Sequence, residues 1–195
     1  MNLSEQIVKY RAVGLSLDAH GEIVIANKVI GKISRKEVAE RFMSPAPLQF
    51  LDKLLATGKI TQQQHELAQK VPMADDITVE ADSGGHTDNR PMVVVLPIIL
   101  QLRDEIQKKH HYKKQIRVGA AGGIGTPASA LAAFAMGAAY LVTGSINQAC
   151  IESGTSDAVK ELLAKVASTD VTMAPASDMF ELGVELQVLK RGTLF

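Results

Sequence analysis

The chain has 195 residues, 46% of them hydrophobic, and its 21 Lys+Arg against 21 Asp+Glu leave no net charge. Such a composition describes a single folded domain with a sizeable core, and it argues against a nucleic-acid partner, whose phosphates call for a basic surplus. The single cysteine, Cys150, excludes an internal disulfide and fits a reducing cytoplasm.

In chain order, the opening MNLSEQIVKYRAVG is polar and has no apolar core of a signal peptide, so export is not expected. KVIGKI, from Lys28, predicts a first buried strand. A helical insertion is expected over residues 34–75, where Ser34 with Glu37 and Thr61 with Gln64 match the capping-box pattern. That insertion either covers one end of the sheet or serves as a lid or docking surface. ITVEA, from Ile77, is the second strand, and a helix from Pro91 to Gln107 follows, its basic end at Lys108 and Lys109 suiting the helix dipole. IRVGAA, from Ile116, is the third strand. The next helix takes Thr126 as N-cap, Pro127 as its first residue and Gly137 as its stop. AYLVTG, from Ala139, is the fourth strand, and a polar helix is expected at about Ser156 to Ala167.

Strands alternating with helices predict an α/β fold with a parallel sheet, covered on both faces or closed into a barrel. No charged residue occurs from Gly119 to Ile146, a stretch long enough to cross a bilayer. Its glycines and proline divide it into pieces too short to span, so no membrane segment is expected. Cys150 has apolar neighbours and is expected to be a buried structural thiol. His20, His65, His110 and His111 lie in polar segments and are expected to be solvated.

Chemistry is expected at the strand ends. Gly122 and Gly123 directly follow the third strand, and the Thr126/Pro127 helix start lies just behind them. Gly144 and Ser145 follow the fourth strand. Glycines here serve either tight turns alone or, as a pair on neighbouring strands, a shared phosphate held by backbone N–H groups. His86, behind Gly84 and Gly85, either tethers Asp82 or Asp88 or reaches over a flat ligand as a catalyst. Lys32 interrupts an apolar strand; it either points from the strand's end toward an electron-rich ligand or pairs with Asp82 or Glu80. The acids between Asp75 and Asp88 show no metal-ligand spacing, and the chain has no G-x-S-x-G elbow, so neither a metal nor a serine hydrolase is expected.

VEADSGGHTDNRP, IRVGAAGGIGTPASALAAFAMGAAYLVTGSINQA and VLKRGTLF resemble the trans-acting enoyl reductases of polyunsaturated fatty acid and polyketide synthases. These are relatives of the nitronate monooxygenases, or 2-nitropropane dioxygenases. The resemblance covers essentially the whole chain and implies an FMN-dependent (β/α)₈ barrel. By it, Gly122, Gly123, Gly144 and Ser145 hold the FMN phosphate, Ser83 and Gly84 lie near the flavin ring, and Lys32 approaches the ring's electron-rich edge. His86 corresponds to an active-site histidine and is the candidate proton donor. The implied reaction reduces an enoyl thioester on an acyl carrier protein, with NADPH as reductant; nitronate oxidation is the alternative.

A complete barrel has eight strands in about 250 residues, and only four are predicted here, matching the last four. The expectation is a half barrel that dimerises, joins a missing N-terminal half, or is a catalytically incompetent fragment, because open sheet edges favour association. The apolar ending LGVELQVLKRGTLF adds to the expectation of truncation.

Overall fold

The structure, a computed structural model, describes residues 3–190. In chain order its elements are α1 (Glu5–Val13), β1 (Leu15–Leu17), β2 (Ile23–Ile25), β3 (Ile30–Ile33), α2 (Lys36–Met43), α3 (Leu48–Ala56), α4 (Gln62–Ala68), β4 (Asp76–Glu80) and β5 (Gly85–His86). They continue as α5 (Met92–His110), β6 (Arg117–Ala121), α6 (Pro127–Ala135), β7 (Leu141–Val142), α7 (Ser145–Gln148), α8 (Asp157–Ala164), β8 (Val171–Pro175) and β9 (Glu185–Leu189).

β3, β4, β6 and β7 form one parallel sheet in that order, so each of the four predicted strands is present and lies beside its successor. Parallel neighbours need a crossover, and the helices supply it. The side chains that alternate toward those helices are apolar: Ile33, Ile77, Val79, Val118 and Ala120 are buried against α2 and α5. Burying each of the larger ones contributes about 1.5–3 kcal/mol. Gly31 lets α2 approach β3 closely, since a Cβ there would stand 3.1 Å from both Ile77 and the Phe42 ring.

Opposite side chains of the same strands are polar and bonded to one another. Arg117 makes a bidentate pair with Asp76 at 2.7 and 2.8 Å, and its guanidinium lies 5.7 Å from the Tyr140 ring centre. The Tyr140 hydroxyl in turn meets Thr78 Oγ1 at 2.9 Å. Gly119 is what allows the tyrosine to lie on the sheet, because a Cβ there would overlap its ring.

Helices α2, α3 and α4 occupy the segment between β3 and β4. Thr61 and Gln64 form the predicted capping box at α4, and Thr126 with Ser129 forms another at α6, where Pro127 is the first residue. The box predicted from Ser34 and Glu37 is absent: α2 starts a residue later, with Arg35 at its N-cap and no side-chain cap. The Ser34 hydroxyl is drawn instead to the Asp88 carboxylate, 2.6 Å away across the sheet end.

Other corrections follow from packing that local sequence does not record. Cys150 is exposed, its thiol donating to Ile146 O at 3.4 Å in the turn that follows α7. His65 is half-buried rather than solvated, held by Asp52 at 2.8 Å. His110 stacks on Tyr112 with ring centres 5.4 Å apart, and its partial burial lowers its pKa. No described helix is long and apolar enough to cross a membrane; the uncharged stretch divides into β6, α6, β7 and the start of α7.

Two antiparallel pieces were not predicted. β1 pairs with β2 beside α1, and β8 with β9 forms a hairpin whose second strand pairs with β5. The apolar ending is therefore partly strand, while Arg191 to Phe195, within the resemblance motif VLKRGTLF, lies outside the described residues.

Candidate active site

All predicted site residues cluster at the carboxyl ends of the parallel strands, the end where α/β folds bind ligands. The register that pairs Ala121 with Val142 sets the loops after β6 and β7 side by side. They lie close together, since a Cβ on Gly125 would stand 3.9 Å from Ile146, and the loop after β4 joins them, a Cβ on Gly84 standing 3.3 Å from Ser145 Oγ. Gly122 has φ +93° and lies so close to the β4 loop that a Cβ would meet Ala81 O at 2.6 Å, so only glycine fits there. Gly144 and Gly85 face open space.

The amides in these turns are available to a ligand. Among the described residues, none of the backbone hydrogen bonds outside helices and strands is donated by Gly122, Gly123, Gly144 or Ser145. The start of α6 differs from expectation. Its Ser129 N–H is taken by Thr126 Oγ1, its Thr126 N–H by Ser129 Oγ, and Pro127 has no N–H. The capping box thus occupies two of the N–H groups at the helix start.

Lys32 and His86 line one cleft of about 770 Å³, between α2 on one side and Met173, Met179 and Val184 of the hairpin region on the other. Gly122 and Gly123 instead border a separate, mainly apolar cleft of about 260 Å³ with Met92, Ala132 and Met136. Ser83, Gly84, Gly144 and Ser145 border neither. The candidates thus share one end of the sheet without sharing one cavity.

Lys32 Nζ lies 2.8 Å from Glu80 Oε1, one of its two expected partners, and its side chain remains mostly exposed. Glu80 also accepts from Ser83 Oγ at 3.5 Å. Neither expected tether holds His86. Asp88 is occupied by Ser34 and by Arg35 at 3.2 Å, and these hold its carboxyl below the usual range. Asp82 accepts from Gln187 Nε2 at 3.0 Å. His86 Nε2 meets Asp178 at 3.1 Å, a partner 92 residues away that local sequence offers no reason to choose.

Fold and strand-end turns together define a parallel α/β protein with two glycine turns side by side at the carboxyl edge of its sheet. No protein-family model matches the chain. It is 56% identical along its whole length to part of a polyunsaturated fatty acid synthase polypeptide of Thraustochytrium sp., and 52% identical to part of the polyketide biosynthesis protein PksE of Bacillus subtilis. The solved enoyl reductase domain of MlnA, from the macrolactin biosynthesis cluster of Bacillus amyloliquefaciens, superposes with a TM-score of 0.93 at 43% identity and again covers the whole chain. The chain is thus similar along its whole length to segments of these proteins. It spans 13% and 25% of the two curated relatives and 44% of the solved domain.

Proposed function

We propose that this chain is the carboxyl-terminal half of an FMN-dependent enoyl reductase acting on carrier-bound enoyl thioesters in polyunsaturated fatty acid or polyketide biosynthesis. The observation that carries this reading is the pair of adjoining turns, Gly122–Gly123 and Gly144–Ser145, whose four amides have no protein acceptor among the turn and loop hydrogen bonds of the described residues. Bare backbone facing open space at Gly144 and Gly85 leaves room for a phosphate and a flat ring, so the residues present fit FMN. The relatives named above, and the enoyl reductase domain among them, support the same activity.

When bound, the flavin would supply hydride transfer from NADPH to the β-carbon of the substrate. The chain's own residues do the rest. The glycine-turn amides would hold the phosphate, Ser83 and Gly84 would lie near the ring, and Lys32, which pairs with Glu80, would supply positive charge at its electron-rich edge. His86 delivers the proton that the α-carbon requires, imidazole being able to donate near neutral pH. The 34–75 segment belongs to this single domain as a helical insertion.

The four parallel strands are read as half of a (β/α)₈ barrel. β7 is an edge strand of two residues, and Leu131 and Phe134 before it in sequence and Ile146 and Ile151 after it are exposed apolar side chains. Closure comes from an N-terminal half or from a second copy of the chain.

FMN reconstitution followed by flavin fluorescence tests the site. Ser145→Asp, which sets a carboxylate against the phosphate, is expected to weaken FMN retention by at least about tenfold. Equal retention by the variant would remove the phosphate assignment. NADPH oxidation dependent on an enoyl thioester-loaded carrier supports the reductase, whereas oxygen uptake with a nitronate in its place would overturn it.

A further inference from the structure

The β8–β9 hairpin is tied to the loop that carries His86 at several points. β9 pairs with β5 in the register Gly85 with Gln187 and His86 with Leu186. Gln187 Nε2 donates to Asp82 at 3.0 Å, and Asp178, in the connection between the hairpin strands, lies 3.1 Å from His86 Nε2. The base of that connection is pinned, because Ala176 is fully buried and its N–H bonds Val184 O at 2.9 Å. An exposed ion pair on two free side chains contributes little, about 0–1 kcal/mol, since both must be ordered to form it. Here the backbone ladder has already ordered the two segments, so the pair acts on geometry rather than on stability.

We propose that Asp178 is the positioning residue for His86. An ionised carboxylate can only accept, so Nε2–H donates to Asp178 and Nδ1 is left as the ring nitrogen that exchanges a proton with the cleft. This rests on the reading of His86 as proton donor to the α-carbon. In that step the Nδ1–H bond of the imidazolium breaks and a C–H bond forms at the α-carbon; a bound flavin would supply the hydride for the β-carbon. The N–H electron pair stays on Nδ1. The ring ends neutral, still donating from Nε2 to Asp178, which neither gains nor loses a proton. Asp178 does not touch substrate; it fixes one tautomer and one ring orientation, so the hairpin carries part of the active site.

The test compares the full chain with Asp178→Ala, Asp178→Glu and Gln187→Ala, using ¹⁵N-histidine spectra and carrier-dependent turnover. In the unaltered chain the neutral His86 ring is expected to show a protonated Nε2 and a bare Nδ1. Asp178→Ala should mix the tautomers and lower kcat about tenfold with KM little changed, and Asp178→Glu should recover most of both. Gln187→Ala removes a neighbouring tie of the same hairpin and should alter neither readout. An unaltered tautomer in Asp178→Ala, or the same losses in Gln187→Ala, would overturn the proposal in favour of simple anchoring. Should the unaltered chain, closed by an N-terminal half or a second copy, show no enoyl thioester turnover, the proposed function falls, and the ring-nitrogen spectra still decide the Asp178 pairing.

Discussion

Residues 3–121 and residues 122–190 are packed very differently. The first segment holds nearly all of the core, with Val8, Leu51, Leu54, Ile77, Val79, Leu96 and Ile99 all fully buried. In the second, the buried described residues are Ala133, Ala138 and Ala176, whereas Leu131, Ile151 and Leu182 are 71%, 88% and 77% exposed. The first segment buries a large core while leaving Ile30, Val93 and Val94 exposed; the second has little core and exposes turns, a hairpin and a strand edge. Stability and function are thereby separated along the chain. The part with the large core presents strand ends, and the part that carries the glycine turns assigned above to the phosphate is the more open.

The largest effect should come from breaking the buried charge in the first segment. Arg11, 1% exposed, reaches the Asp75 carboxylate at 2.7 Å and the Pro72 and Asn27 carbonyls, which joins α1 to the approaches of β3 and β4. Removing one partner of a buried pair strands the other, so Asp75→Asn is expected to cost about 3 kcal/mol in urea unfolding at neutral pH. Burial alone would raise the Asp75 carboxyl pKa, but Arg11, the Val29 N–H and Lys28 together hold it below its usual value. A carboxyl lowered in the folded state adds stability above its unfolded pKa, near about 3.9, and loses that stability as pH falls through the lower folded value. The variant should lack this part of the acid limb; an unchanged acid limb would show that Asp75 is not the group responsible.

A smaller effect is expected where the segments meet. Gly122→Ala forces a side chain into φ +93° and against Ala81 O, at a cost of about 1–3 kcal/mol. It also moves the amides assigned to the phosphate, so FMN retention should fall at least about tenfold. Stability loss without any loss of flavin would place the phosphate elsewhere.

The smallest stability effect belongs to the open segment. Leu131→Ser, on the exposed side of α6, should change unfolding free energy by no more than about 0.5 kcal/mol. The same variant should reduce association in sedimentation if this surface is covered on barrel closure. A large loss of stability in the isolated chain would show that Leu131 is packed, and the contrast between segments would fail.

Much of this architecture is written locally. The apolar runs at Lys28, Ile77, Ile116 and Ala139 mark the strands, although the last is only partly buried, and Thr126 followed by Pro127 marks the start of α6 from chemistry within one turn. The paired turns after β6 and β7 are legible for the same reason. Even so, local reading misleads at Ser34, whose hydroxyl answers to Asp88, 54 residues on, rather than to its own helix. It misleads again at Cys150, where apolar neighbours in sequence did not become neighbours in space.

By itself, the sequence determined the alternation of strand and helix, the parallel order of the sheet and the glycine turns at its carboxyl edge, because periodicity and capping act over a few residues. Only the tertiary structure decided that Glu80 rather than Asp82 holds Lys32, and that a C-terminal hairpin brings Asp178 to His86. β5 has two residues and β9 is nowhere fully buried, too short and too weakly patterned to announce a pairing. Such contacts depend on where the whole sheet leaves an edge free, and no stretch of the chain encodes that alone.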